Sequence, residues 1–213
     1  MASLILEGGT FRPIFSAGVM DALLDNDIMF PYVIGVSAGI CDGFSYVSWQ
    51  RERNLEILMK HRSDPRYIGR QNLIKEKSLF GLNFVYNVIP NKLYPFDWDT
   101  FYKYDGKILV GVTNALTGEI EYKDGKDLDE ECMMLRATCA LPLVFPAINL
   151  DGIPYFDGGI ADPIPVRKAI RDGNDKHLIV LTRPKGYPKE LSKSHKVTSR
   201  RLKRKYPKLP DLL

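Results

Sequence analysis

Two apolar runs, Leu4–Leu6 and Tyr32–Val36, each end in a small-residue turn and pass straight into a helix-like segment, all within the first 50 residues. A strand followed at once by a helix, twice over, constrains a chain strongly. Parallel neighbours need a crossover, and the helix supplies it while covering a face of the sheet. Further strands are expected at Lys107–Val112, with a hairpin partner at Glu119–Tyr122, at Ile153–Phe156 and at Leu178–Leu181. Helices are expected near Glu52–Lys60, Leu128–Thr138 and Pro165–Arg171. The alternation predicts an α/β fold, a three-layer α/β/α sandwich with a mostly parallel central sheet covered on both faces. In the first helix Pro13 suits the opening position, and Phe15, Val19, Ala22 and Leu23 are expected to form the buried face.

The second of these turns carries Gly35-Val36-Ser37-Ala38-Gly39, a Gly-x-Ser-x-Gly pattern. In that pattern the serine sits on a tight strand-to-helix turn, its hydroxyl exposed at the sheet edge, with glycines where a side chain would clash. The first turn, Gly8-Gly9-Thr10, also precedes a helix, so its backbone N–H groups lack partners and suit a developing negative charge; Arg12 adds a positive one. A tight turn or a phosphate loop explains Gly8-Gly9 equally well, although neither a Gly-Lys-Ser/Thr continuation nor a full Gly-x-Gly-x-x-Gly is present. Asp157-Gly158-Gly159 ends an apolar run, and alone it reads as an Asx-type turn. Beside a nucleophilic serine it gains a second meaning. A carboxylate is a weak base for an alcohol and serves only when desolvated and placed directly on the hydroxyl. The three histidines are poor alternatives: His61 precedes Asp157 in the chain, His177 falls at the entry edge of a strand, and His195 lies in a basic tail.

Glu7-Gly8-Gly9-Thr10-Phe11-Arg12, Gly35-Val36-Ser37-Ala38-Gly39 and Asp157-Gly158-Gly159, in that order, resemble the three signatures of the patatin-like phospholipase family. The resemblance spans residues 4 to about 183, and Ile89–Asp97 resembles the family's bacterial branch. It implies a fold related to α/β-hydrolases, a Ser-Asp dyad without histidine, no cofactor or metal, and hydrolysis of acyl esters in lipids. On that reading Ser37 is the nucleophile, Asp157 the base, and Gly8, Gly9 and Thr10 with Arg12 the oxyanion loop, while Gly35, Gly39, Gly158 and Gly159 support the turns. The loop departs from the family's common Gly-Gly-Gly-x-Arg-Gly. Thr10 keeps the third N–H but adds a branched side chain, and Pro13 removes a donor.

Composition narrows the rest. With 45% hydrophobic and 26% charged residues the chain is neither disordered nor disulfide-dense, and Cys41, Cys132 and Cys139 show neither a Cys-x-x-Cys pair nor a nearby histidine, so they are expected as small buried residues. The run Met1–Leu6 lacks a basic leader, and the expected location is cytoplasmic. Residues 1–182 hold 19 basic against 24 acidic side chains, and residues 183–213 hold 11 against 2. We therefore expect an acyl-hydrolase domain over 1–183, with 80–104 an aromatic lid or core segment, and 184–213 a basic segment, an incomplete end of the domain. The basic segment suits peripheral contact with anionic membrane and not nucleic acid, since no recognition motif accompanies it. The expected partner is a lipid or acyl-ester substrate such as a phospholipid or lysophospholipid. The other reading that stays open is a non-catalytic patatin-like protein that binds lipid or a membrane surface.

Overall fold

The computed structural model describes residues 1–187 and 202–209. In chain order the strands are β1 (Ala2–Leu6), β2 (Tyr32–Val36), β3 (Lys107–Asn114), β4 (Ile120–Asp124), β5 (Ile148–Leu150), β6 (Ile153–Asp157) and β7 (Lys176–Val180). The α-helices are α1 (Ile14–Leu24), α2 (Ser37–Val47), α3 (Arg53–His61), α4 (Arg70–Glu76), α5 (Trp98–Lys103), α6 (Met133–Thr138) and α7 (Val166–Arg171). The helix expected from Leu128 is shorter than its pattern, because Cys132 adopts a left-handed φ of 53° and the regular turns begin after it.

The strands form one sheet in the order β5-β6-β3-β2-β1-β7, with β4 also paired to β3. The pairs β7·β1, β1·β2 and β2·β3 are parallel, and β4, β6 and β5 extend the sheet by antiparallel pairing. Side chains alternate between the two faces as the strand period requires. Leu4, Leu6, Val33, Ile108, Val110 and Val112 join the larger core with α1, α2 and α6, while Ile5, Tyr32, Ile34 and Leu109 meet Ala169 of α7 on the opposite face. Helices thus cover both faces, as the sandwich expectation requires.

β3 has two edges and three partners. β4 pairs with Leu109–Thr113, so it occupies one edge, and β2 and β6 must share the other. β2 pairs with Lys107–Gly111 and β6 takes over at Val112–Asn114. The two strands meet end to end, with Val36 opposite Gly111 and Asp157 opposite Val112.

α1 differs from expectation in its orientation. Ser16, Ala17, Met20 and Leu24 are buried, whereas Phe15 and Ala22 are exposed. The helix is apolar nearly all round, so periodicity offers two faces. The one bearing Ser16 and Ala17 packs inward, since small side chains allow a close approach to neighbouring elements.

Residues 80–104 form neither a strand nor a regular α-helix throughout. Phe84–Leu93 is a ten-residue π-helix with Pro90 inside it, followed by α5. Phe84, Tyr86, Ile89 and Phe101 are buried, and the segment is tied to the body by Arg53, whose Nη2 and Nε donate to the Tyr94 carbonyl (2.9 and 3.2 Å), and by Gln50 Nε2 to the Pro95 carbonyl (2.9 Å). Most of the basic segment lies outside the described residues. Its described part returns to the body: Leu202, Tyr206 and Leu209 are buried in the larger core, with the Tyr206 ring edge-on to Phe156. No helix among the described residues is long and apolar enough to cross a membrane.

Candidate active site

β2 passes directly into α2 through Ser37, which adopts φ +55° after an extended Val36. A non-glycine residue held there is strained, and such strain persists only where the surroundings impose it. They do so here. The Ser37 N–H donates to Thr138 Oγ1 (2.8 Å), and that hydroxyl donates to the Gly111 carbonyl (2.6 Å), so the turn is pinned to both α6 and β3. Gly39, in the first turn of α2, lies against the Glu7 carbonyl, where a Cβ would collide with backbone; Gly35 abuts the Leu6 backbone in the same way. These approaches bring the Gly8 loop to the serine, and a Cβ on Gly8 would stand 2.8 Å from that of Ser37.

Asp157 arrives from the other direction along the shared edge of β3. Its N–H donates to the Ala140 carbonyl (3.0 Å) and its carbonyl accepts from Thr113 Oγ1 (2.8 Å). Gly158 packs against the Gly111 backbone, and the Gly159 N–H donates to Asp157 Oδ1 (2.8 Å). The other carboxylate oxygen, Oδ2, accepts the Ser37 hydroxyl at 2.7 Å. Residues 120 positions apart in sequence are thereby in direct contact. Asp157 is 2% exposed, and burial raises its carboxyl pKa to about 6 against the pull of its two hydrogen bonds. Above that pH the carboxylate is charged, dry and placed on a hydroxyl, which suits it to accept a proton.

The Gly8, Gly9 and Thr10 amides have no acceptor among the described residues. Thr10 sits at φ +35°, a strained setting for a β-branched residue. The Gly8 carbonyl is held away by Thr182 Oγ1 (3.2 Å) and Arg12 Nη2 (3.5 Å), Arg12 Nε also reaches Thr182 Oγ1 (3.2 Å), and the Thr182 N–H donates to Glu7 Oε2 (2.5 Å). Arg12 is thus part of a brace that sets the loop. Thr138 and Thr182 belong to no motif, and nothing in the sequence marks them.

A cavity of about 180 Å³ opens at Ser37. It exceeds the roughly 150 Å³ that suffices for a benzene ring in an apolar protein interior. Thr10, Phe11 and Ser37 border it, and Phe80, Tyr86, Ile89, Phe96 and Trp98 from the aromatic segment form much of its wall, as does Phe145. Asp157 does not line it, so the carboxylate stands behind the hydroxyl. Of the two ionisable groups Asp42 and Arg53 in the lining, Asp42 has its carboxyl pKa pushed well up by burial against the pull of Arg53, while Arg53, lowered by burial to about 10, remains a cation in an otherwise mostly apolar wall. Cys41 and Cys139 also line it, their sulfurs 3.5 Å apart as free thiols, and no group of metal-ligating side chains occurs among the described residues. His177 bonds Ser3 at the far edge of the sheet, and His61 packs edge-on to Phe84 and Tyr94; His195 lies outside the described residues.

A serine on a strained strand-to-helix turn at the sheet edge, backed by a carboxylate and fronted by free amides, defines the class of α/β proteins built like serine hydrolases. The pattern of the patatin-like phospholipase family matches residues 4–170, and the chain belongs to that family of lipid acyl hydrolases. It is also 25% identical over 189 residues to the uncharacterised protein YjjU of Escherichia coli strain K12. That match covers 85% of this chain and 52% of YjjU, so the chain spans about half the length of this curated relative.

Proposed function

We propose that the protein cleaves ester bonds of phospholipids or lysophospholipids through an acyl-enzyme, with Ser37 as nucleophile and Asp157 as base. The observation that carries this reading is the 2.7 Å hydrogen bond from Ser37 Oγ to a buried Asp157 carboxylate. Ser37 Oγ attacks the ester carbonyl carbon while its proton passes to Asp157 Oδ2, and the Gly8, Gly9 and Thr10 amides receive the charge on the carbonyl oxygen. The tetrahedral species collapses, the carbon–oxygen bond to the alcohol breaks, and Asp157 returns the proton to the leaving oxygen. Water then attacks the acyl-serine, Asp157 takes its proton, and the fatty acid departs with Ser37 restored. The apolar cavity beside Ser37 supplies the place for the acyl group.

A fluorophosphonate probe tests the reading without the natural substrate. Wild type is expected to label at Ser37, and Ser37→Ala and Asp157→Asn to lose labelling while staying folded. Folded wild type that takes no label points instead to a non-catalytic lipid-binding protein, the reading that the strained, branched Thr10 in the amide loop would then explain.

A further inference from the structure

Helix α1 turns an apolar face to solvent. Phe15 is 61% exposed, Ala22 is exposed, and a Cβ on Gly18 between them would meet nothing within 4 Å. The single charged residue in α1, Asp21, is engaged through Oδ1 by the Glu52 N–H (3.0 Å). That contact and the Arg51–Asp25 ion pair fix the start of α3 beside the end of α1. Ile14 of α1 and Arg53, Asn54, Ile57 and Leu58 of α3 line the same cavity, so both helices border it. No residue of α3 is buried, and Leu55 and Met59, one turn apart, are 40% and 61% exposed. Phe11, one turn before Phe15, both lines the cavity and is exposed.

The border of this apolar surface carries positive charge. Arg12 follows Phe11, and Arg62 lies three residues beyond Met59; both are exposed, and neither forms an ion pair among the described residues. The neighbouring acids are engaged: Asp25 and Glu52 by Arg51, and Asp64 by Arg66. Glu56 is exposed and lies three residues before Met59, so it neighbours that side chain on α3 while facing away from Arg62.

We propose that Phe11, Phe15, Leu55 and Met59, with Arg12 and Arg62, form the surface on which the protein lies against an anionic membrane. The apolar side chains enter the boundary between headgroups and acyl chains, the guanidinium groups meet lipid phosphates, and the cavity mouth faces the bilayer. A helix face without charge, continuous with the cavity and bordered by two exposed cations, Arg62 and the Arg12 that also braces the Gly8 loop, matches a surface that is apolar below and anionic above. The assignment rests on the lipid-ester reading for its purpose, though not for its geometry.

The test is co-sedimentation with phosphatidylcholine vesicles containing one third phosphatidylglycerol, using wild type, Phe15→Glu with Met59→Glu, and Arg62→Glu. None of these three side chains lines the cavity. The double variant is expected to lose vesicle partitioning by about tenfold or more, and Arg62→Glu by a smaller, salt-sensitive factor. Hydrolysis of a short water-soluble ester stays at the wild-type rate in all three, which also reports folding, and Ser37→Ala binds vesicles like wild type. Unchanged vesicle binding in the double variant overturns the proposal. So does wild type that cleaves the water-soluble ester yet ignores the vesicles, or a wild-type dimer that the double substitution dissolves, which assigns the surface to a second copy. Binding with the expected pattern but no ester cleavage upholds the surface and removes the enzymatic reading instead.

Discussion

The Ser37 N–H donates to the hydroxyl of Thr138, which is fully buried and in turn donates a hydrogen bond to the Gly111 carbonyl. One hydroxyl therefore fixes the strained turn to two other elements. Replacing it with an isosteric methyl leaves a buried N–H unpaired, at a cost of about 1–3 kcal/mol. Thr138→Val is expected to lower kcat on a water-soluble ester by about tenfold to a hundredfold with KM little changed, because the turn is misplaced and the cavity is not. Thr138→Ser keeps the acceptor and should stay within a few-fold of wild type. Equal losses in both variants would show that packing, and not this hydrogen bond, sets the turn.

On the proposed mechanism, the Asp157 pKa of about 6 sets the acid limb of the pH profile. Only the ionised carboxylate accepts the Ser37 proton, so kcat/KM is expected to rise with pH through about 6 with a single-proton slope and to level above it. A limb near 4 would mean that the carboxylate is solvated in the working enzyme.

The same burial has a consequence for stability. The folded-state pKa lies above the reference 3.8, so the folded protein binds the extra proton. The associated stability is fully present below pH 3.8 and is lost as pH rises through 6. At neutral pH the buried charge costs about 1–3 kcal/mol. Asp157→Asn removes it, and the variant is expected to be inactive yet to melt a few degrees above wild type at pH 7.5, with the difference shrinking below pH 5. Calorimetry at both pH values measures this, and a lower melting temperature at pH 7.5 would contradict it.

Two glycines should respond in opposite senses to alanine. A methyl at Gly39 meets the Glu7 carbonyl and forces α2 away from the Gly8 loop, with an expected loss of about 1–3 kcal/mol and most of the activity. A methyl at Gly18 meets nothing within 4 Å on an exposed helix and should add about 0.5–1 kcal/mol. Thermal unfolding of the two variants distinguishes them directly.

Much of the sheet was legible because its strands are short, apolar and bounded by turns: β2 matches its expected bounds, and β1, β3 and β7 fall within a few residues of theirs. The positions of Ser37 and Asp157 were legible because each ends such a strand with glycines beside it. Sequence could not show that β6 reverses direction along the edge that β2 vacates, because direction depends on contacts between distant segments. The orientation of α1 was ambiguous for a different reason, since an almost wholly apolar helix presents more than one plausible inner face. Phe84–Leu93 was opaque because a π-helix with an internal proline follows neither the period of a strand nor that of an α-helix. Thr138 and Thr182 act through one hydroxyl each, and a single threonine outside any motif carries no signal.

Because β2 and β6 abut on a single edge of β3, neither strand alone sets the distance between hydroxyl and carboxylate; the step from Gly111 to Val112 does. β3 acts as a gauge, and the working distance is one tick along it. A one-residue slip of β6 would carry the carboxylate about 3.4 Å along the ladder and turn it to the opposite face. An insertion in the Asp151-Gly152 turn can bulge outward and leave that spacing intact, whereas one inserted residue within Ile153–Phe156 is enough to silence the site while the rest of the sheet stands.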